Sequence, residues 1–188
     1  MRHPPGCRER GRGHLTTLYK GGRPVEDSWT LASDDALPLN GVPVILTLKQ
    51  WTDGRDALSG RNQPLGIRIE PGETLDAILP DLGRFSLVAL SFPKFTDGRS
   101  FSKAKMLRDE HGFSGEIRAV GEVLWDQLQL MARCGFDAFE ISHEPTLQAL
   151  EKGKKPFMTD FYQPGLTPEA KLSTPRAWAR RAVNTAEA

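Results

Sequence analysis

The stretch FPKFTDGRSFSKAKMLRDEHGFSGEIRAVG, residues 92–121, places Lys94, Asp97, Arg99, Ser100 and Ser102 where a strand should give way to a helix. The first turn of a helix leaves backbone N–H groups without intrahelical partners. A lysine, an arginine and two hydroxyls beside those amides could hold a sulfate, a phosphate or a carboxylate. Arg118, on the next strand, would bring a second guanidinium able to grip an oxyanion through two parallel bonds. Asp97 would orient Arg99 rather than meet the ligand, because a bare carboxylate repels an anion, and Asp126 is expected as a second orienting carboxylate. A plainer reading accounts for the same residues: Asp97 and Ser100 cap the helix, and Arg99 pairs with Asp97.

Other chemistry-bearing residues point less far. Cys134 falls at the C-terminal end of an expected helix, where the negative end of the dipole disfavours a thiolate, so a buried structural cysteine is expected. Cys7 and Cys134 form neither a disulfide framework nor a C-x-x-C pair, and two cysteines cannot supply the four thiolates of an iron–sulfur cluster. His3, His14, His111 and His143 lack metal-ligand spacing, so no metal is expected. His143 and Glu144 follow a strand but read best as a surface pair. The G-x-G-x-x-G, P-loop and G-x-S-x-G patterns are absent. No cofactor is expected, and the purified protein should be colourless.

The elements that must position these residues follow a rhythm. Strands are expected at 42–48, 66–70, 86–92, 116–120 and 138–142, with helical or turn-rich segments between, which predicts a parallel sheet with βα crossovers. A helix over 122–134 would place Leu124, Leu128 and Met131 on one face and stop at Gly135. Another, over 101–111, would start from Ser100 as N-cap and stop at Gly112. Leu75, Ile78, Leu79 and Leu82 fit a helical face that Pro80 must interrupt. Within the strands, Ile67 and Ile69 alternate with Arg68 and Glu70, and Ile117 and Ala119 alternate with Glu116 and Arg118. A flavodoxin-like doubly wound sheet, covered on both faces, would carry near-continuous apolar strands. The alternation therefore favours a single-wound, partial-barrel-like α/β fold, with the flavodoxin-like sheet as the alternative. Its polar face would gather Lys49, Arg68 and Arg118 against Glu70, Glu116 and Glu140. That set is either an active-site floor or a ladder of ion pairs, and the even balance of charge favours the ladder.

With 188 residues, 38% hydrophobic and 26% charged, the chain has the make-up of one globular domain. The organisation expected is a flexible basic arm over 1–27, a single α/β domain over 28–164 in which Trp29, Leu31 and Leu37 pin a short edge element, and an extension over 165–188. That extension should hold a basic helix with Arg176, Arg180 and Arg181. A net charge of +1 gives no electrostatic reason to expect nucleic acid or an anionic membrane as partner. No apolar run approaches a membrane span, and the basic N-terminus has no apolar core of a signal peptide, so a cytoplasmic location is expected.

The phrases FPKFTDGRS, LRDEHGFSGEIRAVG, WDQ and RCGFDAF, together with PLGIRIEPGE and the late FYQP, resemble the bacterial family called domain of unknown function 934. The resemblance covers residues 28–164, and Arg99, Arg118, Asp126 and Cys134 sit within it. Members of that family are commonly encoded beside sulfite reductase and are often labelled probable oxidoreductases of sulfite reduction. The resemblance thus implies an accessory protein or oxidoreductase of assimilatory sulfate reduction, with sulfite reductase or a related enzyme as its partner. The alternative is a non-catalytic scaffold that docks on such an enzyme through the arginine-rich C-terminal helix.

Overall fold

The computed structural model describes residues 7–10, 14–32, 41–58, 60 and 63–154, with side chains from Thr16 onward. The first strands are β1 (Cys7–Arg10), β2 (His14–Lys20), β3 (Arg23–Val25), β4 (Thr30–Leu31) and β5 (Val44–Thr47), of which β2 and β5 carry the β-branched and aromatic residues that favour a pleated surface. They are followed by β6 (Leu65–Ile69), β7 (Phe85–Phe92), β8 (Glu116–Gly121) and β9 (Ala138–Ile141). All nine belong to one curled sheet, ordered β1-β2-β9-β8-β7-β6-β5-β4, with β3 also on β2. Strands β4 to β9 are parallel and lie side by side in chain order, as in half of a βα barrel. The single-wound expectation is met. The antiparallel strand β2 then adds to β9.

Helices α1 (Leu48–Leu58), α2 (Arg99–Asp109), α3 (Leu128–Arg133) and α4 (Glu144–Glu151) connect or follow the parallel strands. The apolar residues of the alternating strands, among them Val44, Leu46, Ile67, Ile69, Val88, Leu90, Ile117 and Ala119, pack with Trp51, Ala104, Leu107 and Met131 into one core. Trp51 meets Phe85 edge to face at 4.9 Å. The opposite, concave face carries a smaller apolar set, Ile45, Leu87, Ala89 and Val120, against which Trp29 and Leu31 pack. Gly66 makes room there: a Cβ on it would come within 3.2 Å of Trp29. Register lines up Thr47, Arg68, Ala89, Arg118, Ala138 and Lys20 in one row across the sheet.

Several local expectations change. Lys49 lies in the exposed first turn of α1 rather than on the polar face, because Thr47 and Gln50 close a reciprocal cap that ends the strand early. The expected helix over 122–134 shrinks to a 3-10 turn at Trp125–Gln127 and then α3. Its first residues stay extended because the Glu122 N–H donates to the Phe92 carbonyl at 2.7 Å. The start of α2 lies at Arg99, before the expected residue 101, with Gly98 as N-cap, so Ser100 sits inside the first turn. Around Pro80 the chain forms a 3-10 turn, Leu79–Arg84. Strands β2 and β3 fall within the stretch expected as a flexible arm, and they pair in the sheet. Leu37, the late FYQP and the basic C-terminal helix lie outside the described residues. No helix among the described residues is long and apolar enough to cross a membrane.

Candidate functional site

The C-terminal ends of β5 to β9 share one edge, where βα proteins build their ligand sites from the following loops. After β7 the chain turns at Lys94, whose carbonyl accepts the Asp97 N–H at 3.0 Å. The loop is tied to the segment after β8. Glu122 accepts the Phe95 N–H at 3.0 Å, and the Gln127 amide donates to the Phe95 carbonyl at 2.8 Å. Gly121 permits the close approach: its φ of 104° and a virtual Cβ 2.3 Å from the Phe92 carbonyl oxygen leave space for hydrogen alone.

On this tied loop Asp97 holds Arg99 through both carboxylate oxygens, at 2.9 Å from Nε and 2.6 Å from Nη2, and also accepts the Arg99 N–H at 3.2 Å. The carboxylate is thereby a cap and an orienting group at once. The guanidinium beside it is the main reason that the Asp97 carboxyl is lowered to about 2, against a smaller opposing effect of burial. Asp97 in turn pushes the Arg99 guanidinium further toward its charged form. The Arg99 side chain remains 62% exposed, and its N–H donors not engaged by Asp97 stand open to solvent.

The other expected anion ligands divide. Lys94 and Ser102 are exposed on the same loop and first turn. Ser100 is fully buried, and its hydroxyl donates to the Ser91 carbonyl at 2.7 Å, so it fastens α2 to β7. Lys103, which the sequence reading passed over, donates from Nζ to the carbonyls of Glu70 at 2.7 Å and Pro71 at 3.1 Å. Desolvation lowers its pKa, with Glu73 working the other way. The four-residue spacing from Arg99, which puts both cations on one helix face, was a readable signal.

Arg118 is not brought to this loop. It is 1% exposed on the concave face, and Nε donates to Glu116 at 2.9 Å while Nη1 donates to Asp27 at 3.1 Å. Lys20 meets the other oxygen of Glu116 at 2.6 Å. Farther along the face, Arg68 donates to Glu70 at 2.8 Å and to the Ser91 hydroxyl at 3.3 Å. The expected second guanidinium is thus turned toward the start of β8, because Asp27 arrives from the N-terminal segment and holds it there. Both arginines of the polar face are thus ion-paired, but the pairs differ from the even set expected: Lys49 stands off the face, and Asp27 and Lys20 join in its place. Asp126 is exposed in the 3-10 turn and bonds neither Arg99 nor Arg118 among the described contacts.

The remaining motif residues serve mainly to hold the frame. Cys134 is buried at the end of α3, and burial pushes its thiol pKa up. His143 precedes α4 and shares a 2.8 Å hydrogen bond between Nδ1 and the buried Thr146 hydroxyl. Arg108 donates to the carbonyls of Gly115 at 2.9 Å and Gly135 at 3.1 Å, and also to the Phe113 carbonyl and to Asp137. Asp137 accepts the Ile117 N–H at 2.9 Å. The phrases LR, GFSGE and CGFD therefore meet in one clamp at the N-terminal edge of the sheet, away from the loop of Arg99.

Among the described residues, no group of three or more His, Cys, Asp or Glu is placed to hold a metal ion. The model of the bacterial proteins of unknown function grouped as DUF934 matches residues 66–172, more than half of the chain. Neither a curated protein nor a solved structure matches it.

Proposed function

Since the chain belongs to the DUF934 family of bacterial proteins, we propose that it is an accessory protein of assimilatory sulfate reduction, acting at or near the sulfite step by holding a sulfur oxyanion at the start of α2. The observation that carries the anion-binding part is the Arg99 guanidinium, exposed yet aimed by a bidentate carboxylate at the ligand-binding edge of a parallel sheet. A preoriented guanidinium loses little freedom on meeting an oxyanion, while Lys94 and the Ser102 hydroxyl lie close in sequence to add charge and a donor. The sulfur assignment rests on the genomic setting that the family resemblance implies. No electron-transfer step is assigned to Cys134, whose thiolate is disfavoured. The reading sets the protein in the cytoplasm, beside sulfite reductase or a related enzyme.

Deleting the gene should slow growth on sulfate or sulfite, and cysteine should restore it. Arg99→Lys should complement the deletion less well than the wild type, although the charge is kept. Normal growth of the deletion strain on sulfate would remove the sulfur assignment.

A further inference from the structure

Beyond the C-terminal ends of β8 and β9, the 3-10 turn before α3, the start of α4 and Lys154 enclose a cleft of about 280 Å³. Its wall is mainly apolar, with the Trp125 indole, Pro145 and Ala149 as the larger part. Three side chains of different charge also line it: the Asp126 carboxylate, the Lys154 ammonium and the His143 imidazole.

These three are not spent on one another. Among the described residues, neither the Asp126 nor the Lys154 side chain has a hydrogen-bond or ion-pair partner, although both line the same cleft with opposite signs. Elsewhere such charges close up, Asp97 on Arg99, Glu116 on Lys20 and Asp137 on Arg108. His143 is tied on one side only. Its Nδ1 shares the 2.8 Å bond with the Thr146 hydroxyl, and Nε2 has no partner among the described residues. In the tautomer in which Nδ1 accepts, Nε2 carries the proton and can donate to a carboxylate.

The frame is fixed before a ligand arrives. The Trp125 indole N–H donates to the Lys154 carbonyl at 3.4 Å, so the ring and the lysine backbone hold each other. Gln127 accepts the Leu124 N–H at 3.4 Å and donates to the Phe95 carbonyl at 2.8 Å, which pins the turn that carries Asp126. A site held in this way loses little freedom on binding.

Charge and size then select the occupant. An anion and a cation with a gap between them suit a molecule that carries both signs, whereas a singly charged one leaves one group unanswered. The volume, just under the roughly 300–1,000 Å³ of drug-sized pockets, admits a small molecule, and the wall asks for an apolar side chain. We propose that this cleft binds a small apolar α-amino acid as its zwitterion. The ammonium meets Asp126, the carboxylate meets Lys154 and His143, and the side chain lies against Trp125 and Ala149. The site is separate from the Arg99 loop and does not depend on it.

L-Leucine is the probe, with isoamylamine and isocaproate as the analogues that lack its carboxylate and its ammonium. In the isotopically labelled full-length protein, the Trp125 indole N–H resonance is identified by its loss in Trp125→Phe. It should shift saturably with L-leucine, half-maximally at about 1 mM or below. Either analogue should bind at least ~10-fold more weakly. Asp126→Asn and Lys154→Met, both at exposed positions, should each weaken leucine binding at least ~10-fold without lowering the melting temperature. Arg99→Ala should leave leucine binding as in the wild type, so the two sites succeed or fail independently. No saturable shift up to tens of millimolar leucine overturns the proposal. So does an analogue that binds as tightly as leucine, or leucine binding that survives both Asp126→Asn and Lys154→Met.

Discussion

Replacing Arg118 by Met keeps most of the apolar stem and removes the charge, leaving Glu116 and Asp27 beneath the concave face without their shared partner. Breaking a buried pair in this way costs about 3–5 kcal/mol. Lys20 still neutralises one oxygen of Glu116, but its side chain is 48% exposed, so that compensation is small. A loss of about 3 kcal/mol is therefore expected, a large part of the roughly 5–15 kcal/mol that holds a domain together. With a urea slope of about 2 kcal/mol/M, the unfolding midpoint should fall by about 1.5 M. Asp27→Asn keeps an acceptor for the Trp29 N–H, now at 3.0 Å, and removes only the charge. Combined with Arg118→Met it should cost less than the two separate losses summed, by about 1–3 kcal/mol. Urea denaturation followed by circular dichroism gives all four corners of the cycle. A cost below about 1 kcal/mol for Arg118→Met, or additivity within about 0.5 kcal/mol, would refute the idea that this pair anchors the N-terminal segment.

Two further outcomes follow from the same frame. Gly121→Ala should destabilise by more than about 1 kcal/mol, because both the positive φ and the Phe92 carbonyl oppose a Cβ; an unchanged melting temperature would contradict the close approach. Cys134→Ser should leave the fold and anion binding intact and cost on the order of 1 kcal/mol, and the native Cys134 thiol should alkylate far more slowly than in urea. A thiol pKa raised by folding means that its contribution is present at neutral pH and fades as pH climbs through the ordinary thiol range. Fast alkylation of Cys134 in native buffer would show the thiol to be accessible.

The parallel half of the fold was legible where its strands alternate, an apolar residue toward the helices and a charged one toward the concave face, although that face also carries Ile45, Leu87 and Val120. Ile67 and Ile69 against Arg68, or Ile117 and Ala119 against Arg118, announce that arrangement within a few residues. What escaped reading depends on distant partners. Nothing near Arg118 says that Asp27, 91 positions away, will reach it, so its place in an oxyanion site was a fair inference that tertiary structure overrode. Strands β2 (HLTTLYK) and β3 (RPV) are short and largely polar, so they do not stand out, and the pairing of β2 with β9 is a long-range event. α1 was hidden by Gly54 and its polar composition, although TLKQ at residues 47–50 spells a cap that could have revealed it. At the loop itself, the tie between Asp97 and Arg99 was readable because it is local. The diversion of Ser100 to the Ser91 carbonyl was not, since it needs β7 beneath α2.

Oxyanion binding at Arg99 is tested by titrating the full-length protein with sulfite and with sulfate by calorimetry at low ionic strength, for the wild type, Arg99→Lys, Arg99→Ala and Asp97→Asn. Wild-type binding should weaken severalfold in Arg99→Lys and vanish in Arg99→Ala, with Asp97→Asn affected less than Arg99→Lys. Because the Asp97 carboxyl is held at about 2, the pair is fully charged at every ordinary pH, and its contribution disappears only as pH falls through that value. Sulfate binding should accordingly be level from about pH 5 upward. Heats that are undetectable at millimolar anion, or the same in Arg99→Ala as in the wild type, would contradict the account and leave this loop as a helix start capped by Asp97.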